Sequence, residues 1–226
     1  MEYLNPSVGR EKLIKLIAES GITDKRVLEA FSRVHRHLFV DGAMYAQAYD
    51  DNALPIGFGQ TISQPSVVAL MTQLLQLGKD EKILEIGTGS GFQTAILAQF
   101  SRRVYTIERN RNLGEAARKR LRSMGYENIV FKISDGSIGW PQYSPFDRII
   151  VTAGAPVLPR ALIDQLADDG RMIIPTGSDE SQDLVVYEKN GSDLRQYTAA
   201  KVVFVPLIGK QGWHIADGTP SSPPSL

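Results

Sequence analysis

The chain has 226 residues, a length that fits one α/β domain with additions and a sizeable core. Its 25 basic and 25 acidic residues give a net charge of zero, which argues against a dedicated nucleic-acid-binding protein, because such proteins carry a basic excess. The absence of cysteine excludes disulfides, a thiol nucleophile and a thiolate zinc site, and the spacing of its three histidines does not suit a metal ion.

The sequence also bears on the location of the protein. No stretch approaches the ~20 apolar residues of a membrane span. The first ten residues lack the charged and apolar regions of a signal peptide. We therefore expect a cytoplasmic protein that does not bind a membrane.

Apolar periodicity predicts a mostly helical N-terminal part over residues 10–78. Thr23 or Asp24 is placed to cap the second of its helices. An irregular segment rich in glycine and proline, residues 46–65, precedes the third helix, which Gly78 ends. The apolar stripes of the three helices are Leu13, Ile14 and Ile17, then Val27, Ala30, Phe31 and Val34, then Val67, Leu70, Met71, Leu74 and Leu75.

From residue 82 to about 175, short apolar runs alternate with helical patterns, which predicts right-handed crossovers and a parallel sheet. Two further apolar runs, 184–187 and 202–205, are spaced for a hairpin-like pair. The predicted strands are 82–86, 103–108, 129–133, 146–152 and 171–175, and the predicted helices are 92–100, 112–124 and 158–166. The expected fold is a doubly wound, mostly parallel seven-stranded sheet of the Rossmann-like type with an N-terminal helical addition.

We expect one domain over residues 1–215. Its parts are a helical N-terminal part with an active-site loop, residues 1–78, and a cofactor-binding sheet, residues 82–215. The tail, residues 216–226, is dominated by glycine, proline and serine, which predicts disorder.

The run Glu85-Ile86-Gly87-Thr88-Gly89-Ser90-Gly91 joins the first of these strands to a helix, as in a nucleotide-cofactor site. A dinucleotide fingerprint has its third glycine five positions after the first, where this chain has Phe92. The spacing acidic-x-Gly-x-Gly-x-Gly is typical of methyltransferases that use S-adenosylmethionine (SAM). SAM has no pyrophosphate, and a carboxylate favours its cationic amino group. The turn therefore favours SAM over a nicotinamide cofactor, and over a turn that binds nothing.

The acidic residues at the ends of two later strands support the prediction that the chain binds a nucleoside. Glu108 follows the glycines by about 20 residues, where a carboxylate can accept hydrogen bonds from a ribose diol. Asp135 is placed to accept a hydrogen bond from an adenine amino group. A solvated strand-end glutamate and a simple Asp-Gly turn are the alternative interpretations.

The segment 59–65, which reads GQTISQP, resembles the signature of the protein-L-isoaspartate (D-aspartate) O-methyltransferases. The resemblance continues through residues 84–91, 104–109, 135–136, 139–141, 145–147 and 204–207, and spans roughly residues 10 to 210. It implies a SAM-dependent repair enzyme whose partners are damaged proteins and peptides with isoaspartyl or D-aspartyl residues. Such an enzyme methylates the free carboxylate and releases S-adenosylhomocysteine, and the ester cyclises to a succinimide.

The resemblance also implies roles for individual residues. It places Ser63 in the active site, although Ser63 also suits a cap for the helix that starts at Pro65, and both roles are compatible. A repair enzyme that reads few side chains should bind an extended peptide through backbone hydrogen bonds, for which residues 54–58 and 205–208 are candidates. The implied cofactor-binding residues are Gln60, Thr61, Ile62, Glu85, Gly87, Thr88, Gly89, Ser90, Gly91, Glu108, Arg109, Asp135 and Gly136, and the candidate substrate-binding residues are Leu54, Ile56, Phe58, Val205 and Leu207.

The same residues also bear on three alternative functions. Methylation of a base amino group needs an Asn/Asp-Pro-Pro-aromatic motif after the fourth strand, where this chain reads TAGAP over residues 152–156. Phe92 argues against a dehydrogenase. A SAM-binding protein without catalysis stays open until an assay is made. We expect a monomer that binds neither nucleic acid nor metal.

Overall fold

The computed structural model describes residues 6–216 and 219–221. Its N-terminal part has three helices and a short hairpin, and the predicted cap Asp24 accepts a hydrogen bond from the Arg26 amide at 2.9 Å. Turns of 3₁₀ helix cover Arg36–Phe39 and Gly42–Gln47. The elements are α1 (Pro6–Glu19), α2 (Lys25–Arg33), β1 (Leu54–Gly57), β2 (Gln60–Ile62) and α3 (Pro65–Leu74).

A seven-stranded sheet follows, and it confirms the predicted doubly wound fold. Its strands are β3 (Lys82–Ile86), β4 (Arg103–Glu108), β5 (Ile129–Ile133), β6 (Phe146–Val151), β7 (Leu166–Gly177), β8 (Gln182–Asn190) and β9 (Asp193–Val202). The helices between them are α4 (Phe92–Leu97), α5 (Arg111–Ser123) and α6 (Arg160–Asp164). The spatial order is β5-β4-β3-β6-β7-β8-β9, in which the first five strands are parallel and the last two pair antiparallel.

Alternate residues of the central strand β3 enter different cores. Leu84 and Ile86 pack in one cluster with β6 and α6, while Ile83 faces α3 and α4. The N-terminal helices form a third cluster with Phe92, whose ring lies 5.7 Å from Phe31 and 5.5 Å from Phe39, centroid to centroid. The helical part is therefore packed against α4 and α5 on one face of the sheet.

Several predicted elements differ from the structure. The third helix ends at Leu74 and not at Gly78, the helix predicted over 92–100 ends at Leu97, and the strand predicted over 171–175 begins at Leu166. The segment 46–65, predicted to be irregular, contains the hairpin β1–β2. The second strand of the final pair is Asp193–Val202 and not 202–205, because this edge strand is largely exposed and so lacks the apolar run that marks a buried strand. The predicted helix 158–166 is only the five-residue α6, since Leu166 already begins β7.

Two further expectations concern the histidines and the tail. His35 and His37, whose spacing did not suit a metal ion, stack with ring centroids 5.7 Å apart. In the tail, Thr219–Ser221 (β11) pair with His214–Ala216 (β10), whereas composition predicted disorder. Residues 217–218 and 222–226 lie outside the described residues. Among the described helices, none is both long and apolar enough to cross a membrane.

Candidate active site

A cleft opens at the carboxyl ends of β3, β4 and β6, next to the point between β3 and β6 where the strand order reverses. The segment 60–63 and the segment 205–208 lie on its other walls. Its lining residues are Gln60, Thr61, Ile62, Ser63, Val68, Met71, Ile86, Gly87, Thr88, Gly89, Ser90, Phe92, Gln93, Ile107, Glu108, Arg109, Gly136, Thr152, Ala153, Val205, Pro206, Leu207 and Ile208. Most of the predicted cofactor-binding residues are thus brought together.

The glycine turn presents bare backbone to this cleft. Gly87, Gly89 and Gly91 have φ values of 98°, 52° and 88°, a region that favours glycine. A Cβ at Gly87 would also overlap the Thr152 hydroxyl oxygen. The turn therefore needs glycine at position 87 for both its backbone conformation and its packing.

Glu108 lies at the end of β4 and lines the cleft, as predicted for a residue that binds ribose. Its Oε2 accepts a hydrogen bond from the Gly89 amide at 2.9 Å, and its Oε1 accepts one from the Asn110 amide at 2.8 Å. An ionised carboxylate has about four acceptor positions, so two remain for a diol.

Glu85 does not line the cleft, because its side chain lies beneath the turn and is fully buried. Its Oε2 accepts hydrogen bonds from the Thr94 and Thr106 hydroxyls, each at 2.6 Å, while Oε1 has no partner among the described residues. Burial raises the pKa of Glu85 to about 8, against the opposing effect of these two hydrogen bonds. The sequence suggested a carboxylate beside the SAM amino group, and direct contact between Glu85 and the cofactor stays a prediction.

Asp135 also lies behind the cleft, while its neighbour Gly136 lines it. The Asp135 Oδ1 accepts hydrogen bonds from the Ser137 amide and hydroxyl at 2.8 and 2.7 Å, and Oδ2 accepts one from the Lys210 amide at 2.7 Å. The carboxylate therefore anchors the segment that follows Leu207 against the end of β5. Direct binding of adenine by Asp135 stays a prediction.

The remaining predicted residues divide into two groups. Val205 and Leu207 line the cleft, whereas Gly91 packs against Leu121 in α5. The hairpin residues Leu54, Ile56 and Phe58 are not among the lining residues, and Leu54 is buried while Phe58 is exposed at the hairpin tip.

Ser63 is placed between the cleft and a second, adjoining groove. This groove is lined by Ala53, Thr61, Ser63, Gln64, Val67, Thr152, Ser181, Lys201, Val202, Val203, Phe204 and Val205. Ser63 does not cap α3, because the cap position is Gln64 and the Ser66 amide donates to Asp51 Oδ1 at 2.8 Å. The Ser63 hydroxyl makes no hydrogen bond to another described residue, so it is available to a ligand.

Sequence reasoning missed several lining residues, of which Gln93 is the most polar. It follows the glycine turn in α4, is 7% exposed, and donates from Nε2 to the Thr72 hydroxyl at 3.0 Å. Its Oε1 has no partner among the described residues. The signal was its place in the first turn of the helix after the glycines, where a long polar side chain lies next to the cofactor turn.

The sequence matches the family model described as protein-L-isoaspartate(D-aspartate) O-methyltransferase over residues 8–212. A protein-L-isoaspartate O-methyltransferase 1 of Pelobacter propionicus is 54% identical over 215 residues, which cover 93% of this chain and 100% of that protein. The protein of the same name from Syntrophobacter fumaroxidans is 49% identical over 211 residues, which cover 93% of this chain and 99% of that protein.

Solved structures agree with these relatives. One protein-L-isoaspartate O-methyltransferase superposes with a TM-score of 0.82 at 29% identity, over 90% of this chain and 67% of that one. A Plasmodium falciparum structure of the same description, in complex with S-adenosyl-L-homocysteine, has a TM-score of 0.77 at 25% identity, over 88% of this chain and 98% of that one. From the cleft, the family model and these relatives together, the chain belongs to the protein-L-isoaspartate(D-aspartate) O-methyltransferase family.

Proposed function

We propose that this protein transfers a methyl group from SAM to the free carboxylate of L-isoaspartyl and D-aspartyl residues in damaged proteins and peptides. The observation that carries the proposal is the position of Ser63. Its hydroxyl, without a protein partner among the described residues, lies in the same cleft as the glycine turn. The family membership of the chain supports the reaction.

The cleft residues fit SAM. The positive-φ glycines leave backbone free of side chains at the end of β3, where a ligand can approach closely. Glu108 retains acceptor positions for a ribose diol, and the orphaned Gln93 Oε1 offers an acceptor to a cationic group. Residues 60–62, Thr88, Ser90, Arg109 and Gly136 complete the lining that would hold the cofactor.

Methyl transfer requires little of the protein beyond the placement of the two reactants. When bound, SAM supplies an electrophilic methyl group on its sulfonium. A substrate carboxylate is already ionised at neutral pH, since its ordinary pKa is near 4, so no general base is needed. Ser63 would donate one hydrogen bond that orients the carboxylate, and the walls of the cleft would exclude water from the reacting atoms.

We infer that the substrate enters through the groove beside Ser63. This groove reaches the cleft at Ser63, Thr61 and Val205, and residues 201–203 continue it to the surface. Val203, which directly follows β9, is 74% exposed there, so this part of the groove is open to an extended peptide. Cyclisation of the ester to a succinimide needs no further group from the protein. A monomeric state, a cytoplasmic location and the lack of a nucleic-acid partner stay predictions.

The first test is the transfer of labelled methyl from SAM to an isoaspartyl peptide, beside the same peptide with normal aspartate. We expect base-labile label on the isoaspartyl peptide alone. Label on neither peptide, with SAM still bound, would refute the repair reaction.

The second test is Ser63→Ala, which removes the proposed donor. We expect kcat to fall by about 10- to 100-fold, the range typical of losing one hydrogen bond to the reacting group, with little change in SAM affinity. Ser123→Ala, in which an exposed helical serine is removed, serves as the control. A Ser63→Ala protein as active as this control would contradict the assigned role.

A further inference from the structure

Arg36 is buried next to the active-site segment, with 1% of its surface exposed. Its Nη1 donates to the Ala48 carbonyl at 2.7 Å, and its Nη2 donates to the carbonyls of Asn52 and Ser63 at 2.9 and 3.1 Å. One guanidinium thus joins three points of the segment that carries the proposed donor, one of them the backbone of Ser63 itself.

This arrangement is costly for the fold. Within residues 6–216, no carboxylate forms an ion pair with Arg36, and its Nε has no hydrogen-bond partner. Burial lowers the pKa of Arg36 to about 10, opposed by the charges of Asp51 and Asp50, so the group stays protonated at neutral pH. A buried cation bound mainly to carbonyls is a poor source of stability, but the planar fork of a guanidinium fixes geometry well.

Asp51 restrains the same segment through two further hydrogen bonds. Its Oδ1 accepts from the Ser66 amide at 2.8 Å and its Oδ2 from Gln64 Nε2 at 2.9 Å. The two side chains therefore restrain residues 63–66, one at the Ser63 carbonyl and one at the start of α3.

Arg36 also contacts the part of the cleft that is next to the glycine turn. Its guanidinium carbon lies 5.9 Å from the centre of the Phe92 ring, within the range of a cation–π contact. Phe92 lines the cleft and is the first residue of α4, directly after the glycine turn. The one side chain contacts both the segment of the proposed donor and the helix that begins at the cofactor turn.

We propose that Arg36 is a positioning residue for methyl transfer, which sets the Ser63 hydroxyl relative to the cofactor turn by holding the Ser63 backbone. The inference rests on the proposed function. Arg36 touches neither reacting group, and it acts through Ser63. A lysine at this position would keep the charge but would lose the fork that spans three carbonyls.

The test is Arg36→Lys, assayed with SAM and an isoaspartyl peptide. We expect kcat to fall by about 10-fold or more, because small misplacements of a reacting geometry are costly. The dissociation constant for S-adenosylhomocysteine, measured by calorimetry, should change little. Arg148→Lys is the matched control, since Arg148 also donates to backbone carbonyls, those of Leu75 and Gln76, but at the opposite end of the sheet from the cleft. We expect that control to keep wild-type kcat.

A double-mutant cycle separates positioning from general stability. If Arg36 acts through the Ser63 hydroxyl, Arg36→Lys should lower kcat by less than about threefold in the Ser63→Ala background, because coupled residues are not additive. Equal factors in both backgrounds would overturn the proposal. Should Arg36→Lys fail to fold, Asp51→Asn provides the same cycle from the other restraint, with the same two outcomes.

Hydrogen exchange gives a readout that needs no substrate. The amides of residues 60–64 and of Ser66 should exchange faster in Arg36→Lys than in wild type, whereas Arg148→Lys should leave them unchanged. Unchanged exchange in Arg36→Lys would overturn the proposal. If wild type methylates no isoaspartyl peptide, the proposed function fails, and this measurement still decides whether Arg36 fixes the segment.

Discussion

Sequence spacing alone could not determine what the side chains of Glu85 and Ser63 contact. Glu85 stands two positions before the first glycine, which suggested direct contact with a cationic cofactor. Its side chain belongs to the same face of β3 as Ile83, and that face is covered by α4, so the carboxyl group meets Thr94 and Thr106. For Ser63, the competing role of helix cap is taken by Asp51, which is 12 residues away in sequence.

The raised pKa of Glu85 predicts a pH dependence of stability. Its ordinary value is 4.5, so between pH 4.5 and about 8 the folded state binds a proton that the unfolded chain has released. The contribution of Glu85 to the free energy of unfolding therefore falls as pH rises through this window. We expect the difference in Tm between pH 5 and pH 8.5 to be smaller in Glu85→Gln than in wild type, by circular dichroism.

The exposed Glu115 provides the control, because Glu115→Gln should keep the wild-type pH dependence. A Glu85→Gln protein whose Tm changes with pH as wild type does would show that the carboxyl group is ionised in the folded state.

Among the elements, short strands with an apolar sequence were predicted best. The bounds of β4 and β5 coincide with the predicted strands, because each is a short apolar run between polar residues. The hairpin β1–β2 and the edge strand β9 carry few buried side chains, so periodicity gave no signal for them.

The glycine turn allows a test at the level of an element. Gly87→Ala should destabilise the protein by about 2–4 kcal/mol, because a positive φ is combined with an overlap of the new Cβ with Thr152. It should also weaken binding of S-adenosylhomocysteine. Chemical denaturation and calorimetry measure the two effects.

Gly125→Ala measures the loss of stability that comes from the positive φ alone. Gly125 has a φ of 83°, and a Cβ added there would meet no atom within 4 Å, so only strain of about 1 kcal/mol is expected. Equal losses of stability in the two variants would mean that the overlap at Gly87 is relieved without cost.

At the scale of the whole molecule, Phe92 joins the helical N-terminal part to the sheet. Its ring contacts Phe31 and Phe39 from the helical part, and it is 2% exposed. The residue that argued against a dinucleotide cofactor is thus a centre of packing between the two parts of the predicted single domain.

This packing predicts one cooperative unfolding transition. Both tryptophans, Trp140 and Trp213, are buried outside the helical N-terminal part, so their fluorescence reports on the sheet, while circular dichroism also reports on the helices. The two midpoints should coincide in urea, and Phe92→Ala should lower both together, with a loss of about 3–5 kcal/mol. Separate midpoints would refute a single domain.

Phe58→Ala is the control for this substitution, since the Phe58 side chain is 59% exposed. Its effect on stability should stay within about 0.5 kcal/mol.

The sequence by itself determined the fold class, the glycine turn and the family, because apolar periodicity and short motifs are local properties of the chain. Only the tertiary structure decided that Glu85 and Asp135 lie behind the cleft, that Gln93 faces it, and that Arg36 holds Ser63. Arg36 and Ser63 are 27 positions apart, and no local pattern specifies which backbone carbonyls a buried guanidinium will meet. Such contacts depend on how the helical part packs on the sheet, and that packing is a property of the whole chain.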